Sequence, residues 1–395
     1  MRGSLDMSNI SLLRFPSVVR MGNQCISTFL SGDLEMIHAR KIMLVTDPGI
    51  VKAGLAEIVQ NVLEAKHIRY CLFSDVEQEP SIETVKTCIA YAKEEKCDTF
   101  IGLGGGSAMD VCKAVALCVA DNVDIDSLFG METIKRPGLH KVLIPTTSGS
   151  GSESSPSIVL SDHHNNTKKA IWSRYVLADI VYLDSDMTIG MPKSVTGGSG
   201  VDALCHAIEA YMATNSNFVT DNFALTALNQ IGKHLREVYQ NGKNREARLG
   251  MMGASFLAGM AFGGSGLGCV HALAYPFTTL FGYPHGNAQG MSMPNVLRFN
   301  KLGHEERFAQ IARSLNLIDV SAMDAKDAAE AGIDAIEQLI NDVGISTKLR
   351  DYPGITPDRF LEMGKIAIES NGRLVNTNPR PMTVEQAVKI YQQSY

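Results

Sequence analysis

Thr99-Phe100-Ile101-Gly102-Leu103-Gly104-Gly105-Gly106-Ser107-Ala108-Met109-Asp110 decides how the first half of this chain folds. A β-rich apolar run passes into clustered glycines, and from Ala108 to Ala120 apolar residues recur at helical spacing. Glycines let the backbone approach a ligand closely, and a helix amino terminus offers free N–H groups and a positive dipole end. That combination suits a pyrophosphate. The spacing leaves the full dinucleotide fingerprint at Ser107, where the third glycine would stand, so an ordinary tight turn accounts for the same residues.

Working outward, Lys41 to Thr46 reads as a strand that stops at Asp47-Pro48, Ile50 to Ala65 as a helix, Ile68 to Phe73 as a second strand and Ile82 to Lys96 as a second helix. With the Thr99–Leu103 run this makes a βαβαβ rhythm, which implies parallel strands, right-handed crossovers, helices on both faces and ligands at the carboxyl ends of the strands. Asp47 sits at such an end. It can accept hydrogen bonds from ribose hydroxyls and repel a 2′-phosphate, or it can cap a helix that starts with Pro48; both readings stay open. Val142-Leu143-Ile144-Pro145 then runs into Thr146-Thr147-Ser148-Gly149-Ser150-Gly151-Ser152-Glu153, a loop of hydroxyls and glycines suited to phosphate or amide groups and equally to a plain polar turn.

Strand-like Ile180 to Leu183 ends at Asp184, and from about Met187 the texture becomes helical: Thr220 to Tyr239, Asn244 to Gly259, Glu305 to Leu315, Ala325 to Val343 and Pro357 to Ile368. The expected fold is an α/β amino-terminal dinucleotide-binding domain with a Rossmann-like parallel sheet over 1–186, followed by an all-α metal-binding domain over 187–395. A chain of 395 residues exceeds a single usual core, in keeping with two domains. Its 36 Lys and Arg against 42 Asp and Glu form no basic stripe, which argues against nucleic acid or anionic lipid as a partner. Eight scattered cysteines without a CxxC pair suggest free thiols in a reducing cytoplasm, and no apolar run reaches membrane-spanning length. Met1-Arg2-Gly3-Ser4 reads as an expression leader, with Met7 as the natural start.

A second constellation lies in the helical half. Gly197-Gly198-Ser199-Gly200-Val201-Asp202-Ala203-Leu204-Cys205-His206 places Asp202 and His206 four residues apart on one helix face. Alone, such a pair is also an ordinary helix ion pair or a satisfied core histidine. His271 and His285, however, sit in apolar, glycine-rich surroundings where an unpaired imidazole would be costly. Three imidazoles and a carboxylate suit iron(II) or zinc better than calcium or magnesium.

Gly200-Val201-Asp202-Ala203-Leu204-Cys205-His206-Ala207-Ile208-Glu209, Gly266-Leu267-Gly268-Cys269-Val270-His271-Ala272 and Pro284-His285-Gly286 resemble the signature of the iron-dependent (group III) alcohol dehydrogenases, and the similarity runs over nearly the whole chain. The resemblance implies that Asp202, His206, His271 and His285 bind the metal, Fe2+ or alternatively Zn2+. It implies that Gly104, Gly105, Gly106 and Ser107, with Asp110 behind them, cradle the phosphates of NAD, and that Thr146, Thr147 and Ser150 meet the cofactor. Family members with an aspartate at the position of Asp47 tend to use NAD rather than NADP. Lys168 matches a family lysine near the nicotinamide ribose and with Tyr275 makes up the expected catalytic pair; a solvated lysine, and a tyrosine that only packs against Pro276 and Phe277, account for the same residues. The chain departs from the family at Tyr275, where many members have a proton-carrying histidine four residues after the third ligand. A phenol with an ordinary pKa of about 10 is a poorer base at neutral pH but a good hydrogen-bond donor.

The implied function is a cytoplasmic NAD(H) alcohol dehydrogenase or aldehyde reductase, a homo-oligomer (dimer), acting on a small aldehyde that bears a carboxylate or sulfonate. Neutral substrates of the lactaldehyde or 1,3-propanediol type are the alternative. A dehydroquinate-synthase-like lyase would need a crowd of Lys and Arg around the histidines, which the sequence lacks, and a non-catalytic metal-binding module would leave the glycine turn unexplained.

Overall fold

The computed structural model describes residues 12–165 and 167–395; the leader and the Met7 start lie outside the described residues. Alternating apolar runs in the first half become strands β1 (Val18–Met21), β2 (Lys41–Val45), β3 (Arg69–Phe73), β4 (Thr99–Gly104), β5 (Gly130–Met131), β6 (His140–Pro145), β7 (Ser157–Asp162), β8 (Thr167–Trp172) and β9 (Ile180–Leu183). Helices α1 (Cys25–Met36), α2 (Pro48–Lys52), α3 (Leu55–Ala65), α4 (Ile82–Glu94) and α5 (Gly106–Asp121) run between them.

Six strands form one parallel sheet in the order β1-β9-β6-β4-β2-β3. Side chains alternate across it with the two-residue period of a strand. Ile42, Leu44, Ile101 and Leu103 pack with α1 and α3, while Met43, Val45 and Phe100 pack with α4 and α5. Burial on both faces explains why these strands read as continuous apolar runs. The strand order reverses at β2, with β3 on one side and β4 on the other, so the helices that follow β2 and β4 leave on opposite faces and open a crevice at the carboxyl ends of the two strands.

Three local expectations change in the first half. The single helix expected over Ile50–Ala65 is broken into α2 and α3 at Gly54, whose φ of +74° is left-handed. Helix α5 starts at Gly106, inside the glycine run. An antiparallel β7–β8 hairpin joined by β5 forms a second, small sheet that the polar sequence of β8 concealed.

The remainder is helical: α6 (Lys193–Met212), α7 (Phe218–Gln240), α8 (Arg245–Ser265), α9 (Cys269–Phe281), α10 (His285–Lys301), α11 (Glu305–Leu315), α12 (Ala325–Asp342), α13 (Phe360–Glu369), α14 (Gly372–Thr377) and α15 (Val384–Ser394). Residues 357–359, expected within α13, form a separate 3-10 turn before it. Helix α6 is buried almost throughout, and α7, α8, α9 and α10 wrap it. No single described helix is long and apolar enough to cross a membrane; α8 and α9 together would be, but they meet at 109° and line the helical core.

Candidate functional site

The glycine turn lies at the crevice. Gly104 has φ +154°, and a Cβ there would lie 2.7 Å from the Ala108 Cβ and 3.3 Å from Asp47 Oδ2, so only glycine fits. Asp47 caps α2 by accepting from the Ile50 N–H at 3.0 Å, and its second oxygen faces the turn. Capping therefore does not remove the carboxylate from the crevice. Thr146 is tied to the same turn through its N–H, which donates to Gly104 O at 2.9 Å. A Cβ at Gly105 would meet Thr147 at 3.7 Å and one at Gly106 would meet Ser150 at 3.0 Å, so these two side chains form the opposite wall beside Ser107 and the start of α5.

Asp110, expected at the cofactor, has both oxygens committed elsewhere. It accepts from Ser152 Oγ at 2.6 Å and from the Val159 N–H at 2.8 Å, and it pairs with the fully buried Lys113 at 2.9 Å. Lys113 also donates to Ser152 O and Ser157 O, at 2.9 and 2.6 Å. Together they clamp the 146–153 loop to α5, which makes Asp110 a support of the loop.

The helical wall carries the histidines. Gly198 and Gly286 let the start of α10 press against α6: a Cβ on Gly286 would lie 2.1 Å from Gly198 O. That close approach brings His285, the first residue of α10, to Asp202 and His206 on α6 and His271 on α9. The His206 and His271 rings stack with centroids 4.9 Å apart, and the His271 and His285 centroids are 5.5 Å apart. His206 Nε2 lies 3.6 Å from Asp202 Oδ1, and ligand atoms of Asp202, His271 and His285 fall within 4.8 Å of one another.

The remaining hydrogen bonds set the tautomers. His206 Nδ1 donates to Gly149 O at 3.1 Å and His271 Nδ1 to Glu209 Oε2 at 2.6 Å, which leaves both Nε2 atoms as lone pairs. The Gln289 side-chain nitrogen lies 2.8 Å from His271 Nε2 and 3.0 Å from His285 Nε2, while Asp202 Oδ1 is buried without a hydrogen-bond partner among the described residues. The Asp202 carboxylate and the ring nitrogens of His271 and His285 lie within 4.8 Å of one another, and His206 Nε2 stands beside Asp202, a donor set that fits a divalent cation of the iron or zinc kind. Burial would push Asp202 up, but the three imidazoles outweigh it and hold the carboxyl below its ordinary value. Burial also lowers His206, and it lowers His285 to about 4, so both rings are neutral at pH 7, the form that can bind a metal. A second cluster, Cys205, Glu209 and His271, is explained by the Glu209–His271 hydrogen bond, and burial holds the Cys205 thiol protonated.

Tyr275, one helical turn beyond His271, has its ring centroid 6.3 Å from that of His285. Burial and Glu79 push its phenol up to about 12 against the pull of Arg373, which makes it a donor and not a base. Lys168 is ion-paired with Glu79, and its Nζ lies 5.6 Å from the Tyr275 ring centroid. Sequence reasoning assigned no role to Glu209, although it stands three positions after His206 and seven after Asp202 on one helix face, the available signal. It accepts from the Val270 N–H at 2.6 Å as well as from His271. Gln289 and the Gly149 carbonyl were also missed, and no sequence signal marks either.

A doubly wound sheet whose crevice faces a helical wall of one carboxylate and three imidazoles defines a bipartite class, nucleotide fold on one side and metal-ligand cluster on the other. Residues 16–185 match the family described as iron-containing alcohol dehydrogenase, and residues 196–395 match the Fe-containing alcohol dehydrogenase family, C-terminal. The chain is 36% identical over 366 residues to the sulfoacetaldehyde reductase of Bilophila wadsworthia (strain 3_1_6), covering 92% of this chain and 94% of that protein. The crystal structure of a 1,3-propanediol oxidoreductase superposes with a TM-score of 0.93 at 33% identity, covering 98% of this chain and 100% of the other. The sulfoacetaldehyde reductase from Bifidobacterium kashiwanohense in complex with NAD+ gives a TM-score of 0.85 at 26% identity, covering 97% and 98%. This chain belongs to the iron-containing alcohol dehydrogenase family. It is an oxidoreductase of the alcohol dehydrogenase class.

Proposed function

We propose that this protein interconverts a short aldehyde bearing a carboxylate or sulfonate and its primary alcohol, using NAD(H) and a divalent metal, iron in preference to zinc. The hydrogen bond from His206 to Gly149 carries the reading, because it joins the loop of the nucleotide crevice to the histidine wall. Gly104, Gly105, Gly106 and Ser107, with the start of α5, hold the pyrophosphate, and Asp47 meets the adenine-side ribose. Thr146, Thr147 and Ser150 direct the nicotinamide end toward the wall. Asp202, His206, His271 and His285 hold the ion, with Glu209 and Gly149 O fixing two of the rings. When bound, the ion supplies Lewis-acid polarisation and NADH supplies the hydride.

Tyr275 gives a hydrogen bond to the substrate, and Lys168, tethered by Glu79, orients that side of the pocket. The acidic substrate class is supported by Tyr275 where a proton-carrying base would otherwise stand, and by the similarity to two sulfoacetaldehyde reductases. The likeness to 1,3-propanediol oxidoreductase favours a neutral substrate as the second reading. Cytoplasmic residence and a homodimer complete the proposal, the first supported by eight free cysteines, seven of them buried.

The test is kcat/KM for succinic semialdehyde and sulfoacetaldehyde against butyraldehyde and lactaldehyde, with NADH and NADPH, on iron-reconstituted protein. Acidic aldehydes with NADH should lead by about tenfold or more, equal to about 1.4 kcal/mol in transition-state stabilisation. A tenfold lead for the neutral aldehydes sinks the acidic-substrate reading.

A further inference from the structure

An anionic substrate requires a cation that is not already neutralised, because a carboxylate or sulfonate taken out of water without a partner is costly. Three basic residues are candidates. Lys193, at the start of α6, lies over the Tyr239 ring and about 13 Å along the helix axis from Asp202. Lys168 is nearer but is ion-paired with Glu79. Arg373, on the short helix α14, has its guanidinium carbon 3.6 Å from the centroid of Trp172 and has no acidic neighbour among the described residues.

The strand period puts Arg373 on the substrate side. Lys168 and Trp172 both lie in β8, an even number of residues apart, so they leave the same face of the hairpin. Lys168 stands against the Tyr275 ring, and Trp172 carries Arg373. Helix α14 packs against α9, the helix of His271 and Tyr275, so Arg373, Tyr275 and the histidine cluster lie along one wall. With its carbon 3.6 Å from the indole centroid the guanidinium is held over the ring, and no side-chain hydrogen bond or ion pair among the described residues uses its N–H groups, which suit a bidentate oxyanion as a lysine cannot.

We propose that Arg373, held over Trp172 beside Tyr275, is the anion clamp of the pocket, holding the substrate's carboxylate or sulfonate at the end remote from Asp202 and the three histidines. The assignment rests on the acidic-substrate reading above and adds the residue that enforces it. Arg373 makes the specificity; the chemistry stays at the cluster.

Trp172 is the only tryptophan in the chain, so its fluorescence reports on this clamp directly, with no turnover needed. The experiment titrates the full chain, wild type and Arg373→Gln, with ethanesulfonate and, as an uncharged control, ethanol. It also compares kcat/KM for sulfoacetaldehyde and butyraldehyde in both proteins and in Arg373→Lys. Saturable quenching or enhancement by ethanesulfonate alone, lost in Arg373→Gln, is expected. With it should come a fall of about tenfold or more in the ratio of acidic to neutral kcat/KM, expressed chiefly in KM and incompletely rescued by Arg373→Lys. If wild type prefers acidic aldehydes and Arg373→Gln keeps that preference, the clamp is wrong and the substrate reading stands. If wild type prefers neutral aldehydes yet ethanesulfonate still gives an Arg373-dependent signal, the anion site stands and the substrate reading falls. No fluorescence response in wild type overturns the clamp.

Discussion

Replacing Glu209 by Gln tests whether this carboxylate positions His271 as one of the proposed metal ligands. Glu209 is buried and accepts two hydrogen bonds at 2.6 Å, from the Val270 N–H and from His271 Nδ1–H. An amide has one acceptor oxygen and one donor nitrogen, so it satisfies only one of these. If its oxygen stays on Val270, its NH2 meets His271 Nδ1, and the ring must shift its proton to Nε2, the atom that faces the metal point. If it turns over, two N–H groups collide at Val270. Either arrangement costs metal affinity by about 10- to 100-fold, roughly 1.4–2.7 kcal/mol. The assay is a competitive chelator titration of Zn2+ and of anaerobic Fe2+ against wild type and Glu209→Gln, with thermal unfolding of both metal-free proteins alongside. Metal affinity within about twofold of wild type, in a variant that remains folded, would refute the view that this hydrogen bond orients His271 as a ligand.

Asp47→Asn keeps an equally good helix cap and removes the charge, so the NADH-to-NADPH ratio of kcat/KM should fall by about tenfold or more, and an unchanged ratio would leave Asp47 a cap only. Gly104→Ala drives a Cβ to 2.7 Å from Ala108 at φ +154° and should weaken NADH binding in a calorimetric titration while lowering stability by more than about 1 kcal/mol; wild-type binding and melting would contradict the close approach. Burial raises the buried Glu153 to about 7, so the native state holds a proton that the unfolded state releases from about pH 4.5 upward. The resulting penalty is absent below the unfolded pKa, grows as pH rises and is complete above about pH 7, at most about 3 kcal/mol. Glu153→Gln should therefore raise the unfolding midpoint at pH 8 more than at pH 4.5, and an equal effect at both would remove burial as the cause.

The parallel sheet was legible because its strands are buried on both faces and its turns carry Pro48 and the Gly104–Gly106 run. Helices α9 and α10 were not, since Pro276 and Pro294 lie inside them and proline normally reads as a breaker. The hairpin was hidden by Thr167, Lys168 and Lys169, polar residues at positions where a core strand would be apolar. In the site, the spacing of Asp202 and His206 announced a shared face, but the proximity of His285 depends on the Gly198–Gly286 contact between helices distant in sequence. The same limit hid Gly149 O, and the place of Arg373 over Trp172 depends on β8 and α14 meeting in space.

The most direct measurement is an anomalous difference map from crystals of the iron-reconstituted protein. The account predicts one iron peak per chain, at about 2.0–2.3 Å from an Asp202 carboxylate oxygen and from one ring nitrogen each of His206, His271 and His285, with Gln289 moved aside. No peak at that point, or a peak between Cys205, Glu209 and His271 instead, would contradict it.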